Sequence, residues 1–262
     1  VNNTKGSDDP EAVPKIADKI GVPYINDGIN SKHFLEKLGR IRPDFGIIFR
    51  FPRRIEPGFF NSFKYGVFNT HPTALPKYKG IAPLEYMVVD RADLRATAFR
   101  INELFDSGPI FSQTEPYDIK DRYIEDIFPI AVDATINVGI MTLEKMLNRD
   151  LSEFEQDKTQ ESFALRKNLP SLLHIDLKAQ NVVDVASRIY ARGRGKTPFL
   201  LKGKPGVQLP VLKRCIIEQG SKFSPKIEHG VLYCQGGSLV FDSELTGELS
   251  SEVIPYEFKQ NY

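Results

Sequence analysis

The sequence predicts an α/β protein: a Rossmann-like, parallel-rich sheet layered with helices, followed by a small β-rich, OB-like domain. Three observations carry that reading. Short continuous apolar runs, the mark of strands buried on both faces, alternate with amphipathic helical stretches. Residues 124–147 repeat apolar side chains at helical spacing, as a long helix covering a sheet would. From about residue 197 the pattern becomes short strands split by Gly and Pro, spaced roughly 8–12 residues apart.

Taken in order, Ile16, Ala17 and Ile20 form a short helical stripe that Gly21 stops. Val22–Ile25 is a strand candidate. Ser31 is the N-cap of a second helix, SKHFLEKLGRIRPD. Phe45–Phe49 and Tyr65–Asn69 are buried strands, and Ala96–Ile101 is a third. The long helix follows. Residues 150–172 are polar and read as a linker or extended arm. A helix over Lys178–Ala191 precedes strands at Thr197–Leu201, Val207–Val211, Lys213–Glu218, Gly230–Cys234 and Ser238–Asp242. Strands alternating with helices predict parallel pairing. The expected divisions are a catalytic domain over 1–155, a linker over 156–175 and the small domain over 176–262.

Length and composition bound the function. A chain of 262 residues, 41% hydrophobic and 26% charged, buries a sizeable core and is not disordered. Lys and Arg number 35 against 34 Asp and Glu, a net charge of +1, so nothing global favours a nucleic acid or an anionic membrane. Two cysteines, Cys215 and Cys234, cannot make a disulfide framework. No CxxC or His/Cys cluster suggests a metal, and none is expected. A reducing, cytoplasmic setting follows from the cysteine usage. No apolar run reaches membrane-spanning length, and the polar opening shows no secretory signal, so no membrane role is expected.

One stretch is chemically unusual: Phe68-Asn69-Thr70-His71-Pro72-Thr73-Ala74-Leu75-Pro76-Lys77-Tyr78-Lys79-Gly80. Asn69 and His71 stand at i, i+2 at the end of a buried strand, so alternation aims both at one space. Pro72 and Pro76 hold the following loop extended. The carboxyl end of such a strand is where open α/β sheets place ligands. A lone His71 reads equally as a cap or a satisfied core group. Asn69 beside it strengthens the functional reading, because two buried polar groups need partners. Asp106, in Asp106-Ser107-Gly108-Pro109, reads by itself as a turn aspartate.

Together these residues carry a resemblance. Asn69-Thr70-His71 running through Leu75-Pro76 to Gly80, paired with Leu104, Asp106, Gly108 and Ile110, resembles the formyltransferases that use N10-formyltetrahydrofolate. The flanks Ala82-Pro83-Leu84 and Ser112-Gln113 agree, and the likeness runs over most of 35–150. It departs at Thr73 and Ala74, where the family usually has Ser and Leu. The family's first strand and glycine turn are also not seen, so one βα unit is expected to be missing at the start, leaving sheet edges open.

The resemblance implies formyl transfer, with Asn69, His71 and Asp106 as the catalytic set and N10-formyltetrahydrofolate as co-substrate. It puts the folate near Phe49, Arg50 and Phe51 and the backbone of Ile101, Asn102, Glu103 and Leu104. Each phenylalanine taken singly reads as core packing. Thr73, Lys77, Tyr78 and Arg53 are expected near the acceptor. The acceptor implied is a nucleotide-linked amino sugar, for which Arg50-Phe51-Pro52-Arg53-Arg54 would hold the pyrophosphate. That run reads equally as a solvated basic loop. The alternative is methionyl-tRNA, for which Arg192, Arg194, Lys196, Lys202 and Lys204 could meet RNA, although Val1–Pro10 is short and acidic. A binding-only relative is the non-enzymatic alternative, and the intact Asn/His/Asp set argues against it. A homodimer is compatible with the sequence.

Overall fold

Ser31 holds an extended backbone, and its hydroxyl accepts a hydrogen bond from the Phe34 amide at 3.2 Å. That bond satisfies one of the orphan donors at the start of a helix, so the helix begins at Lys32, as the sequence predicts. The structure is a computed structural model that describes residues 11–25, 28–49, 51, 55–177, 179–194, 199–201, 212–217, 226–242 and 247–253.

Helices α1 (Ala12–Lys19) and α2 (Lys32–Ile41) lead into β1 (Gly46–Phe49), α3 (Pro57–Phe60) and β2 (Val67–His71). Then come α4 (Pro83–Val89), β3 (Thr97–Arg100), β4 (Ile110–Gln113) and α5 (Ile124–Leu147). The four strands form one sheet in the order β1-β2-β3-β4. Only β1 and β2 pair in parallel, whereas β2–β3 and β3–β4 are antiparallel. The parallel pairing expected throughout therefore holds at one ladder. The loop 101–109 is too short for the crossover that a parallel β3–β4 pair would need. Val22–Ile25, expected as a strand, is irregular; Ile25 instead packs into the cluster of Phe34, Phe59 and Val67.

The sheet is covered differently on its two faces. Val67 packs with Phe34 and Leu38 of α2 and Phe59 and Phe60 of α3. Phe68, on the other face, packs with Phe111 and with Met146 of α5. By length and composition α5 could cross a membrane. Here Ile127, Ala131, Ala134 and Val138 are buried in the main core, while Ile136, Ile140, Leu143 and Leu147 remain exposed.

The stretch 156–175 is no free linker. Ala164, Leu169, Leu173 and Ile175 are fully buried, and Phe163 bridges to Lys79 beside the first sheet. Polar composition hid those anchors. Helix α6 (Leu169–Leu172) and α7 (Val182–Arg192), the latter capped by the Asn181 side chain, lead to a second sheet. Its strands are β5 (Phe199–Leu201), β6 (Leu212–Ile217), β7 (Lys226–Glu228), β8 (Val231–Cys234), β9 (Gly237–Phe241) and β10 (Gly247–Val253). They lie in the order β5-β10-β7-β8-β9-β6 with antiparallel pairings. The expected strand Val207–Val211 lies outside the described residues. One core cluster runs from Met87 and Val138 through Ile189 to Leu232 and Phe241, so the two sheets are joined by shared packing.

Candidate active site

The site grows from the C-terminal end of β2. Asn69 lies between Ile48 of β1 and Phe99 of β3, and His71 lies beside Thr97. Period-two alternation puts both side chains on the α2/α3 face, as expected. The Asn69 Oδ1 is buried with no hydrogen-bond partner among the described residues. Buried amides are normally paired, so this one is free to meet a ligand.

His71 Nε2 lies 3.0 Å from the Tyr78 carbonyl oxygen. A carbonyl can only accept, so Nε2 carries the hydrogen and the neutral ring keeps its lone pair on Nδ1. Asp106 Oδ2 is 4.0 Å from that Nδ1, beyond direct hydrogen bonding, and accepts instead from the Gly80 amide at 3.0 Å. His71 and Asp106 are both 6% exposed. Asn69 and His71 thus share one face of β2, and the loop 101–109 brings the Asp106 carboxylate to 4.0 Å from His71.

Local chemistry explains why the loops meet there. The buried Thr73 hydroxyl donates to the Lys77 carbonyl at 2.9 Å, and the Thr97 hydroxyl donates to the Thr73 carbonyl at 2.6 Å. Thr73, expected near the acceptor, is thus fully buried and braces the loop. Asp106 holds a left-handed backbone, φ 49°, which turns its carboxylate back towards β2. Gly80 has φ +119°, and a Cβ there would stand 2.8 Å from the Ala164 carbonyl oxygen. A Cβ on Gly108 would stand 1.7 Å from the Arg100 oxygen, so only glycine fits. The Tyr78 hydroxyl donates to Asp90 at 2.9 Å, and burial first, then that carboxylate, push its phenol well above the usual range.

The remaining expected residues scatter. Phe49 pairs with Thr70, and its ring lies against Gly139 of α5, on the opposite face from Asn69. Phe51 packs at the α2/α3 face. Arg50 and Arg53 lie outside the described residues. Ile101 donates its amide to the Val67 carbonyl, and the Asn102 side chain accepts from the Leu104 amide. Glu103, Leu104 and Phe105 are exposed beside Asp106, and Lys77 is exposed on the other loop. An open cleft of about 480 Å³ is lined by Phe60, Tyr65, Arg100, Ile101, Asn102 and Glu103. It lies at the N-terminal end of β2 and includes none of the Asn/His/Asp set.

Three residues escaped the sequence reading. Lys79 is 2% exposed, and its ammonium donates to Ser107 Oγ at 2.8 Å and pairs with Glu161. The Gln156 amide donates to the carbonyls of Asp106, at 3.0 Å, and Gly108, at 2.8 Å. Lys79 lay inside the motif already singled out. Gln156 and Glu161 sit in a polar stretch whose composition marks nothing.

Residues 8–127 match the Formyl transferase family model. The methionyl-tRNA formyltransferase of Thermotoga neapolitana is 29% identical over 197 residues, 73% of this chain and 62% of that protein. That of Thermosipho melanesiensis is 26% identical over 239 residues, 88% of this chain and 75% of that protein. The chain spans 50–62% of the length of the first three curated relatives it matches. Among solved structures, WlaRD, a sugar 3N-formyl transferase studied with dTDP and 5-N-formyl-THF, superposes with a TM-score of 0.61 at 18% identity, covering 93% of this chain and 85% of that one. The N-formyltransferase of Helicobacter canadensis, in complex with folinic acid and dTDP-3-aminofucose, gives 0.57 at 18% identity, covering 86% and 88%. At such identities the likeness is one of fold.

Proposed function

We propose that the chain, whose residues 8–127 match the Formyl transferase family model, moves a formyl group from N10-formyltetrahydrofolate to the amine of a nucleotide-linked amino sugar. The convergence of Asn69, His71 and Asp106 carries this reading. In formyl transfer a neutral amine attacks the formyl carbon, an oxyanion develops, the bond to the folate nitrogen breaks, and the amine's proton ends on that nitrogen.

Each side chain matches one demand of that sequence. We assign to the Asn69 side-chain amide the N–H that the developing oxyanion needs, a contact of about 10²–10³-fold in rate; the buried Oδ1, an acceptor without a partner among the described residues, is left to meet a donor on the substrate. His71 Nδ1 takes the amine proton and returns it to the leaving nitrogen, while Nε2–H stays on the Tyr78 carbonyl and fixes the ring. Asp106, 4.0 Å away, stabilises the imidazolium that forms in between. Leu104 and Phe105, exposed beside Asp106, offer an apolar wall for the pterin. Lys77, exposed on the facing loop, is offered to the acceptor's phosphates.

The sugar acceptor is favoured by the net charge of +1, since RNA binding rests largely on phosphate neutralisation. The dTDP and dTDP-3-aminofucose studied with the two solved relatives support the same choice. Methionyl-tRNA is the second reading, favoured by the names of the curated relatives. We also propose a cytoplasmic setting, from a sequence with only two cysteines, and a homodimeric assembly. Purified full-length protein, N10-formyltetrahydrofolate, a panel of dTDP-linked amino sugars and methionyl-tRNA decide the acceptor. Formylation of a sugar upholds the proposal, and formylation of the tRNA alone overturns it.

A further inference from the structure

The segment 156–164 touches both loops of the site. The Lys79 amide donates to the Ser162 carbonyl at 2.8 Å, and the Ala164 amide donates back to the Lys79 carbonyl at 2.7 Å. The Tyr78 amide donates to Ser162 Oγ at 2.9 Å. This short ladder sets the Tyr78 carbonyl on which His71 Nε2 rests, and the Gly80 amide that Asp106 accepts from.

The same segment reaches the other loop. Gln156 binds the carbonyls of Asp106 and Gly108, and Glu161 holds Lys79, whose ammonium grips Ser107. The Gln156 Oε1 is buried without a partner among the described residues. An orphaned buried oxygen is unfavourable, so the two bonds to the loop are what keep this amide in place. Every residue of Asp106-Ser107-Gly108 is therefore tied to one strap.

From this geometry we infer that residues 156–164 are a positioning strap for catalysis, with Gln156 and the ion pair of buried Lys79 with Glu161 setting the distance between Asp106 and His71. The inference rests on the proposed role of those two groups in formyl transfer. Neither Gln156, Lys79 nor Glu161 touches the reacting atoms. Asp106 holds a left-handed conformation, one that aspartate adopts more readily than most non-glycine residues, and the Gln156 bonds on either side of Ser107 hold the turn that contains it. A displacement of order 1 Å at such a group costs about 10²-fold in rate. Removing Glu161 would leave the Lys79 ammonium buried without its carboxylate, whereas removing Lys79 leaves only a solvent-exposed carboxylate.

Hydrogen exchange and steady-state kinetics on the full-length protein test this together. Gln156→Ala and Lys79→Met should speed amide exchange in residues 102–109 and lower kcat about 10²-fold, with KM nearly unchanged. Lys79→Arg, which keeps a cation between Ser107 and Glu161, should recover most of the rate, whereas the double variant Lys79→Met with Glu161→Gln should stay as slow as Lys79→Met. Wild-type exchange in Gln156→Ala overturns the strap. Faster exchange with wild-type kcat overturns its catalytic part. Asp106→Asn, run alongside, separates the two claims: undiminished turnover there sinks the role given to Asp106, while exchange in the free protein still decides whether 156–164 holds the loop.

Discussion

His71 shows how one contact assigns a role. Its Nε2 donates to the Tyr78 carbonyl, so the proton-accepting atom is Nδ1, the one facing Asp106. His71→Gln should therefore lower kcat about 10²–10⁴-fold with KM little changed. Asn69→Ala should lower kcat about 10²–10³-fold. Steady-state kinetics of formyl transfer measures both, and a kcat within twofold of wild type in either variant contradicts its assigned role. Asn69 and His71 were legible as a pair because strand alternation is local. Asp106 was legible only through its motif. Its approach to His71 depends on a left-handed turn and on the Gly80 amide, both tertiary facts. Phe49 misled for the same reason in reverse: an apolar residue at a strand end carries no sign of which face it takes, and its ring lies on α5.

At the scale of elements, the tight points are where loops cross backbone. Gly108 sits where any side chain would run into the Arg100 carbonyl, because the loop 101–109 doubles back over β3. Gly108→Ala should destabilise the protein by about 1–3 kcal/mol or more and displace Asp106. A urea midpoint equal to wild type would contradict that packing. Helix α2 is a milder case. Ser31→Ala should cost about 1 kcal/mol and Ser31→Gly a few tenths, read from the same urea curves. Caps and apolar stripes are local signals, so α2 and α5 were legible almost to their ends. The short helices α3 and α4 and strand β4 were not, since four to seven residues show less than two helical turns or too little alternation. The strap was least legible. Its function resides in bonds across about 50 and 80 residues of sequence, which no window of composition registers.

Across the whole molecule, one core connects the two sheets, with Ile189 of α7 among its members. Burial there also shifts acidic groups. It pushes the Tyr190 phenol and the Cys234 thiol up to about 12, burial being the first cause in each. Both groups hold their protons more tightly folded than unfolded, so their contribution is complete below the unfolded values and declines as pH rises through about 9 to 12. Stability by urea unfolding should therefore drop across that range, and Cys234→Ala should flatten the slope. An unchanged slope in that variant would remove the thiol from the account. The fold class was legible as a whole, while the antiparallel half of the first sheet and the shared core follow from loop length and long-range packing. The most direct test of the central claim is release of tetrahydrofolate from N10-formyltetrahydrofolate in the presence of an accepted amine, comparing wild type with His71→Gln and Asp106→Asn. Turnover that falls at least tenfold in both variants, with folding intact, is the result expected here. Equal turnover in all three proteins would contradict it.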